Sequence, residues 1–128
     1  MEQIAADRNA VATATERRAK FFRGIADQSR LAILDALCAG PLVVHEIVGR
    51  TALTQPNVSN HLRCLSECGL VTSMRDGRFV RYRISSPRIA DLLHDVEALL
   101  DAVATGVEAC RNYEPDEDEF HRCPASRP

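Results

Sequence analysis

Tryptophan is absent, and phenylalanine and tyrosine together make up only 5% of the 128 residues. A core must therefore be filled by aliphatic side chains, a material that suits helix packing. No apolar run approaches the roughly 18 residues that a membrane span requires, and residues 1–8 carry charges without an apolar signal core, so a cytoplasmic chain is expected. There is no glycine-rich phosphate loop, no Cys-x-x-Cys redox pair and no nucleophile with an evident base and orienting acid, which argues against an enzyme and against a small-molecule substrate. Five cysteines are an odd count for a secreted disulfide scaffold and point instead to metal binding or thiol chemistry in a reducing compartment. The length fits one compact domain.

The formal net charge of −2 hides a division. Residues 54–88 hold six arginines (Arg63, Arg75, Arg78, Arg81, Arg83, Arg88) against Glu67 and Asp76, a net of +4. Residues 89–121 hold ten acids against Arg111, a net of −9. A basic block made of arginine, which can bond phosphate through two parallel donors, reads as a nucleic-acid face, and the acidic block is expected to lie away from it.

Apolar positions Val11, Ala14, Phe21, Phe22 and Ile25 recur at helical spacing and predict a first helix from about Ala5 to Ile25. Asp27 is a suitable N-cap for a second helix, Gln28 to Cys38, with Leu31, Ile33, Leu34 and Leu37 facing a core and Gly40-Pro41 ending it. A short helix over about Val44 to Arg50 follows. Thr54 caps another, Gln55 to about Cys68, with Pro56 tolerated in its first turn and Gly69 supplying the stop. On a helical wheel Val58, Leu62 and Leu65 point inward, leaving Gln55, Asn57, Ser59, Asn60 and Arg63 to meet bases and phosphates. Asp76-Gly77 between the runs 70–75 and 78–84 predicts a hairpin in which Val80, Tyr82 and Ile84 pack inward and Arg78, Arg81 and Arg83 reach outward. A basic hairpin directly after two helices joined by a turn is a wing. Pro87 opens a last long helix whose Ile89, Leu92, Leu93, Val96, Leu99, Leu100, Val103 and Val107 form a stripe too long for so small a body, so its surplus is expected to be buried in a two-fold homodimer through the first and last helices. The expected division is a domain over residues 1–111 and an acidic tail without fixed structure over 112–128.

The runs Ile25-Ala26-Asp27-Gln28-Ser29-Arg30-Leu31-Ala32-Ile33-Leu34, Gln55-Pro56-Asn57-Val58-Ser59-Asn60-His61-Leu62-Arg63-Cys64-Leu65 and Gly69-Leu70-Val71, followed by the arginine-rich wing, resemble the ArsR/SmtB family of metal-responsive winged-helix repressors from about Phe21 to Val107. The resemblance implies a mainly α fold with a β-hairpin wing and a homodimer on double-stranded operator DNA. Family members sense metals at different places. Those with a Cys-x-Cys pair before the recognition helix would need thiols where Val43 and His45 stand, and those with paired Asp and His on the last helix find only Asp91 and His94 at the wrong spacing. The arrangement of the CmtR-type cadmium and lead sensors, a Cys-x-x-x-Cys pair in the recognition helix and a third cysteine near the end of the last helix, is matched by Cys64, Cys68 and Cys110.

Chemistry supports the same three residues. Positions i and i+4 share a helix face about 5–6 Å apart, which suits two thiolates converging on one ion better than a disulfide. Soft sulfur selects soft or borderline metals. A third donor must come from elsewhere, and the resemblance implies Cys110 of a partner subunit. Three thiolates favour Cd(II), Pb(II) or As(III), and a fourth ligand from His61, His121 or Cys123 would move the balance toward tetrahedral Cd(II) or Zn(II). Cys38 reads as core filling, since free cysteine is among the most buried residue types. The expectation is an apo repressor that leaves DNA when Cd(II) or Pb(II) binds, with Zn(II) or As(III) as other inducers. The alternatives are a thiol-redox-sensing repressor of the same architecture and, more distantly, a small thiol enzyme or metal-handling protein.

Overall fold

The computed structural model describes residues 2–110, with side chains described from residue 13 onward except at 104, 105 and 108. Helix α1 spans Glu2–Ile25. It begins three residues before the expected start at Ala5, because glutamate, glutamine and alanine favour a helix without need of an apolar repeat. The expected acidic tail lies outside the described residues.

Helix α2, Gln28–Cys38, starts where Asp27 accepts a hydrogen bond from the Arg30 backbone N–H at 2.9 Å. That cap satisfies one of the donors a helix start leaves open. Arg30 itself is only 2% exposed. Its Nε donates to the Gly24 carbonyl and its Nη2 to the Arg23 carbonyl at 3.4 Å. Nη1 finds no acceptor among the described residues, so carbonyls at the end of α1, rather than a counter-ion, hold this buried cation. Charge-assisted bonds of this kind tie α1 to α2 across the bend at residues 26–27.

Strand β1 is two residues, Leu42–Val43, and leads into α3, Val44–Thr51. The strand was not expected, since two residues carry no periodicity and its existence depends on a partner far along the chain. Helix α3 closes on Ala52 at φ 59, a left-handed conformation that costs an L-residue about 1–2 kcal/mol and lets the chain reverse within three residues. Thr54 then caps α4, Gln55–Glu67, accepting from the Asn57 N–H at 3.3 Å. At its far end Gly69 adopts φ 77 and Leu70 N–H donates to the Leu65 carbonyl at 2.9 Å, the six-to-one closure that only a left-handed residue permits.

Strands β2, Val71–Asp76, and β3, Phe79–Ile84, pair antiparallel, Val71 opposite Ile84 and Asp76 opposite Phe79. The two-residue loop is thus Gly77-Arg78, one position later than Asp-Gly, with the left-handed residue first as in a II′ turn. β1 adds to the free edge of β3, Leu42 opposite Tyr82, giving the order β1-β3-β2. Helix α5, Pro87–Ala109, begins at Ser86, whose Oγ accepts from the Arg88 N–H at 3.2 Å.

The core is aliphatic, as the composition requires: Ile33, Leu34 and Leu37 of α2, Ile47 of α3, Val58, Leu62 and Leu65 of α4, and Val71 of β2 are all fully buried. Tyr82, Ile84, Ile89 and Leu93 pack on its margin, whereas Val80 near the hairpin tip is exposed. The inward face expected of β3 therefore fades toward the turn, where the hairpin outruns the helices beneath it. Along α5 the apolar stripe emerges into solvent, with Val96, Val103 and Val107 exposed and Leu99 60% exposed, and Phe22 of α1 is 51% exposed.

Leu62→Ala empties a fully buried site and is expected to lower unfolding free energy by about 2–5 kcal/mol. Asp27→Ala removes one cap and is expected to cost about 1 kcal/mol. Urea denaturation at one fixed protomer concentration measures both, and the opposite ranking would contradict this account of the core.

Candidate nucleic-acid interface and thiol site

Helix α4 is packed against α2, α3 and β2, and this fixes its rotation. With Val58, Leu62 and Leu65 inward, Gln55, Asn57, Ser59, Asn60 and Arg63 are all exposed, as the helical wheel predicts. Arg63 Nη2 donates to Asn60 Oδ1 at 3.0 Å, an i, i+3 contact that aligns an amide and a guanidinium on one outward ridge. These are donor-rich groups at the start and middle of a helix whose N-terminus carries partial positive charge, a surface that suits an anionic duplex.

The wing adds four more arginines. Arg75, Arg78 and Arg83 are exposed, and Arg83 Nε is steadied by Thr72 Oγ1 at 3.2 Å. Arg81 is differently placed. Its Nε donates to Asp76 Oδ2 at 2.7 Å, and its Nη1 lies 3.7 Å from Glu46 Oε1. The Asp76 bond, with the two carboxylate charges, pushes its pKa further up.

The cysteines divide by depth. Cys64 is 4% exposed, although it lies off the inward stripe of Val58, Leu62 and Leu65. The wheel assigned one inward stripe, but α4 has neighbours on three sides, so a flanking position is covered as well. Its sulfur is engaged in a disulfide in this structure. Cys68, one turn on, is exposed and caps the helix, its N–H donating to the Cys64 carbonyl at 3.0 Å. Partial shielding by the surrounding chain pushes the Cys68 thiol pKa up, Arg30 pulls it back, Glu67 adds to the rise and Lys20 opposes it. Cys110 caps α5 and is half-buried. Cys38 is half-buried rather than sealed in the core, and burial, then Asp35, push its thiol pKa up. His61 is half-buried. His121 and Cys123 lie outside the described residues.

Among the described residues no three His, Cys, Asp or Glu side chains come together as a metal-binding group. Cys64 and Cys68 are one helical turn apart, and Cys110 of the same protomer does not join them. Sequence reading also missed the bond from Arg81 to Asp76 and its approach to Glu46. The pairing of β1 with β3 creates that approach, and no local signal in residues 42–46 announces it. Among the described residues no helix is long and apolar enough to cross a membrane.

Comparison with known proteins agrees with this architecture. Residues 27–73 match the family described as bacterial regulatory protein, arsR family. A probable mercury resistance operon repressor of Streptomyces lividans is 37% identical over 107 residues, which span 84% of this chain and 85% of that protein. The transcriptional regulator CmtR of Mycobacterium bovis is 39% identical over 87 residues, 68% of this chain and 74% of that protein. Among solved structures, M. tuberculosis Rv0081 superposes with a TM-score of 0.68 at 31% identity, covering 75% of this chain and 97% of that one. The homodimeric winged helix-turn-helix domain of M. bovis Mb0332 does so with a TM-score of 0.63 at 31% identity, covering 70% and 83%. With α3 and α4 joined by a tight turn, the β2–β3 wing behind them and relatives matched along most of its length, this chain belongs to the arsR family of bacterial regulatory proteins.

Proposed function

We propose that this chain is a metal-responsive transcriptional repressor that binds operator DNA as a homodimer and releases it when a thiophilic ion is captured by Cys64, Cys68 and Cys110. The observation that carries the DNA half is the outward ridge of α4, where Gln55, Asn57, Ser59, Asn60 and Arg63 are exposed together while the opposite face is locked in the core. Each protomer would place α4 in a major groove, with Arg78 and Arg83 of the wing on flanking phosphates. Phosphate contacts supply affinity, and the few base contacts supply sequence preference.

Homodimerisation is supported by the uncovered stripe Val96, Leu99, Val103 and Val107 on α5, with Phe22 of α1 also exposed, and by a related domain being homodimeric in solution. Apolar side chains at this spacing gain by burial against a second copy.

The ion half rests on Cys64 and Cys68 being one turn apart on the DNA-reading helix, with Cys110 as the third donor, contributed across the dimer. Cadmium and lead are the favoured inducers. Zinc, arsenite and, given the name of the Streptomyces relative, mercury are the ions to compare. Thiolate ligands require the reduced protein, so the disulfide at Cys64 must be opened first. The reading also takes the chain to work in the cytoplasm, where thiols are kept reduced.

Four outcomes test the proposal, with DNA binding measured by titrating reduced protein onto a duplex that the wild-type protein selects from a random-sequence pool. Arg63→Ala is expected to weaken binding by about 1–3 kcal/mol, or roughly 5- to 150-fold, against little change in fold stability. Cys68→Ser is expected to bind DNA like wild type yet stay bound when Cd(II) is added, and release by the serine variant would remove Cys68 from the site. In the wild type, sensitivity to the ion is expected to fall with pH, by about tenfold per unit for each thiol proton displaced, because binding needs thiolate and the Cys68 pKa is raised rather than lowered. Leu99→Glu is expected to yield monomers in sedimentation and to lose DNA affinity together with the dimer. A dimeric Leu99→Glu protein would move the interface elsewhere.

A further inference from the structure

The wing is tied by one guanidinium to the helix that precedes the DNA-reading helix. Pairing of Val43 with Arg81 lays β1 along β3, so Arg81 stands across from the residue that caps α3. Glu46 Oε1 accepts from the Val43 N–H at 3.1 Å, which pins that carboxylate to the first turn of α3. The same oxygen lies 3.7 Å from Arg81 Nη1. From its other side Arg81 donates through Nε to Asp76 Oδ2 at 2.7 Å, and Asp76 is the last residue of β2 before the turn. One side chain therefore spans α3, β3 and the tip of β2. A second contact runs along the same seam, where the His45 ring of α3 tilts at 60° against Phe79, the first residue of β3, with centroids 6.3 Å apart.

Two carboxylates face one guanidinium here, so the seam carries net negative charge. A phosphate approaching Arg81 would compete with Asp76 and Glu46 for its guanidinium. We infer that Arg81 is a positioning residue, and that it sets the angle of the wing on α3 so that Arg75, Arg78 and Arg83 meet the DNA backbone. This inference rests on the DNA-binding reading above and reassigns one of the arginines that the sequence places among the contacts.

Charge alone makes the opposite prediction, and this makes the test sharp. Glu46→Gln removes a negative charge beside the DNA-facing wing, so simple attraction would tighten binding, yet glutamine keeps the capping bond to Val43. If Arg81 needs Glu46 to hold the wing, Glu46→Gln weakens binding about two- to fivefold, the range of an exposed ion pair, and leaves the slope of log K against log salt unchanged. Arg81→Gln is expected to weaken binding to a similar degree with the same slope. The double variant is expected to be no worse than Arg81→Gln alone, because both changes break one connection. Tighter binding by Glu46→Gln, or a slope reduced by about one phosphate charge in Arg81→Gln, would overturn the inference and leave the DNA reading standing. A wild-type protein that selects no duplex from a random pool would overturn both.

Discussion

The buried side of α4 is the constraint on which the rest depends. Val58, Leu62 and Leu65 are fully buried, because α2, α3 and β2 close around them. A rotation of one residue, 100° on the helix, would drive Asn57 or Ser59 into an aliphatic core that offers no partner for an amide or a hydroxyl, a penalty of several kcal/mol against the gain of nothing. The polar ridge is thus aimed by the apolar residues behind it. On the proposed reading, function at this surface is a consequence of packing, and a change in the core would disturb DNA contacts without touching one of them.

The parts of the fold that were legible in the sequence are those whose causes are local. Asp27 and Thr54 bond to amides three residues on, Pro56 and Pro87 sit where a first turn tolerates them, and Gly69 takes the left-handed conformation that ends α4. Each of these is set within a few residues, so composition and spacing reveal it. The hairpin was legible in kind but not in register: Gly77 takes the positive φ, yet Asp76 is still paired with Phe79. Glycine serves the second loop position of a I′ turn and the first of a II′ turn alike, so Asp-Gly alone leaves the register open by one residue.

What stayed hidden depends on contacts between distant parts of the chain. β1 exists only because β3 has a free edge, and Arg81 turns from an outward cation into a bridge only because β1 brings α3 beside it. The depth of Cys64 has the same origin, since a helical wheel describes one buried stripe and cannot register a third neighbour. Arg30 is a further case. No local signal in α2 marks this cation as buried, and it is buried because carbonyls at the end of α1 satisfy two of its nitrogens. Helix caps survive translation from sequence to structure, whereas any residue whose partner lies across a sheet or a helix interface does not.

The unequal depth of the two α4 sulfurs bears on how an ion could act at a distance from the bases. Cys68 at the end of the helix is accessible, but Cys64 lies beneath the surface beside the same core residues that aim the DNA-reading ridge. An ion that gripped Cys68 alone would bind at the helix cap and leave the helix where it was. To grip Cys64 as well, the ion must take the place of the disulfide partner that its sulfur has in this structure, beside the core residues whose packing presents Asn60 and Arg63. On the proposed reading the ion and the DNA favour different settings of one helix, coupled through the core between them. Couplings of this kind are typically about 1–3 kcal/mol. A helix end that is closed by a left-handed glycine and by hydrogen bonds from Cys68, Gly69 and Leu70 back to Cys64, Ser66 and Leu65 can yield by that amount without unfolding the domain.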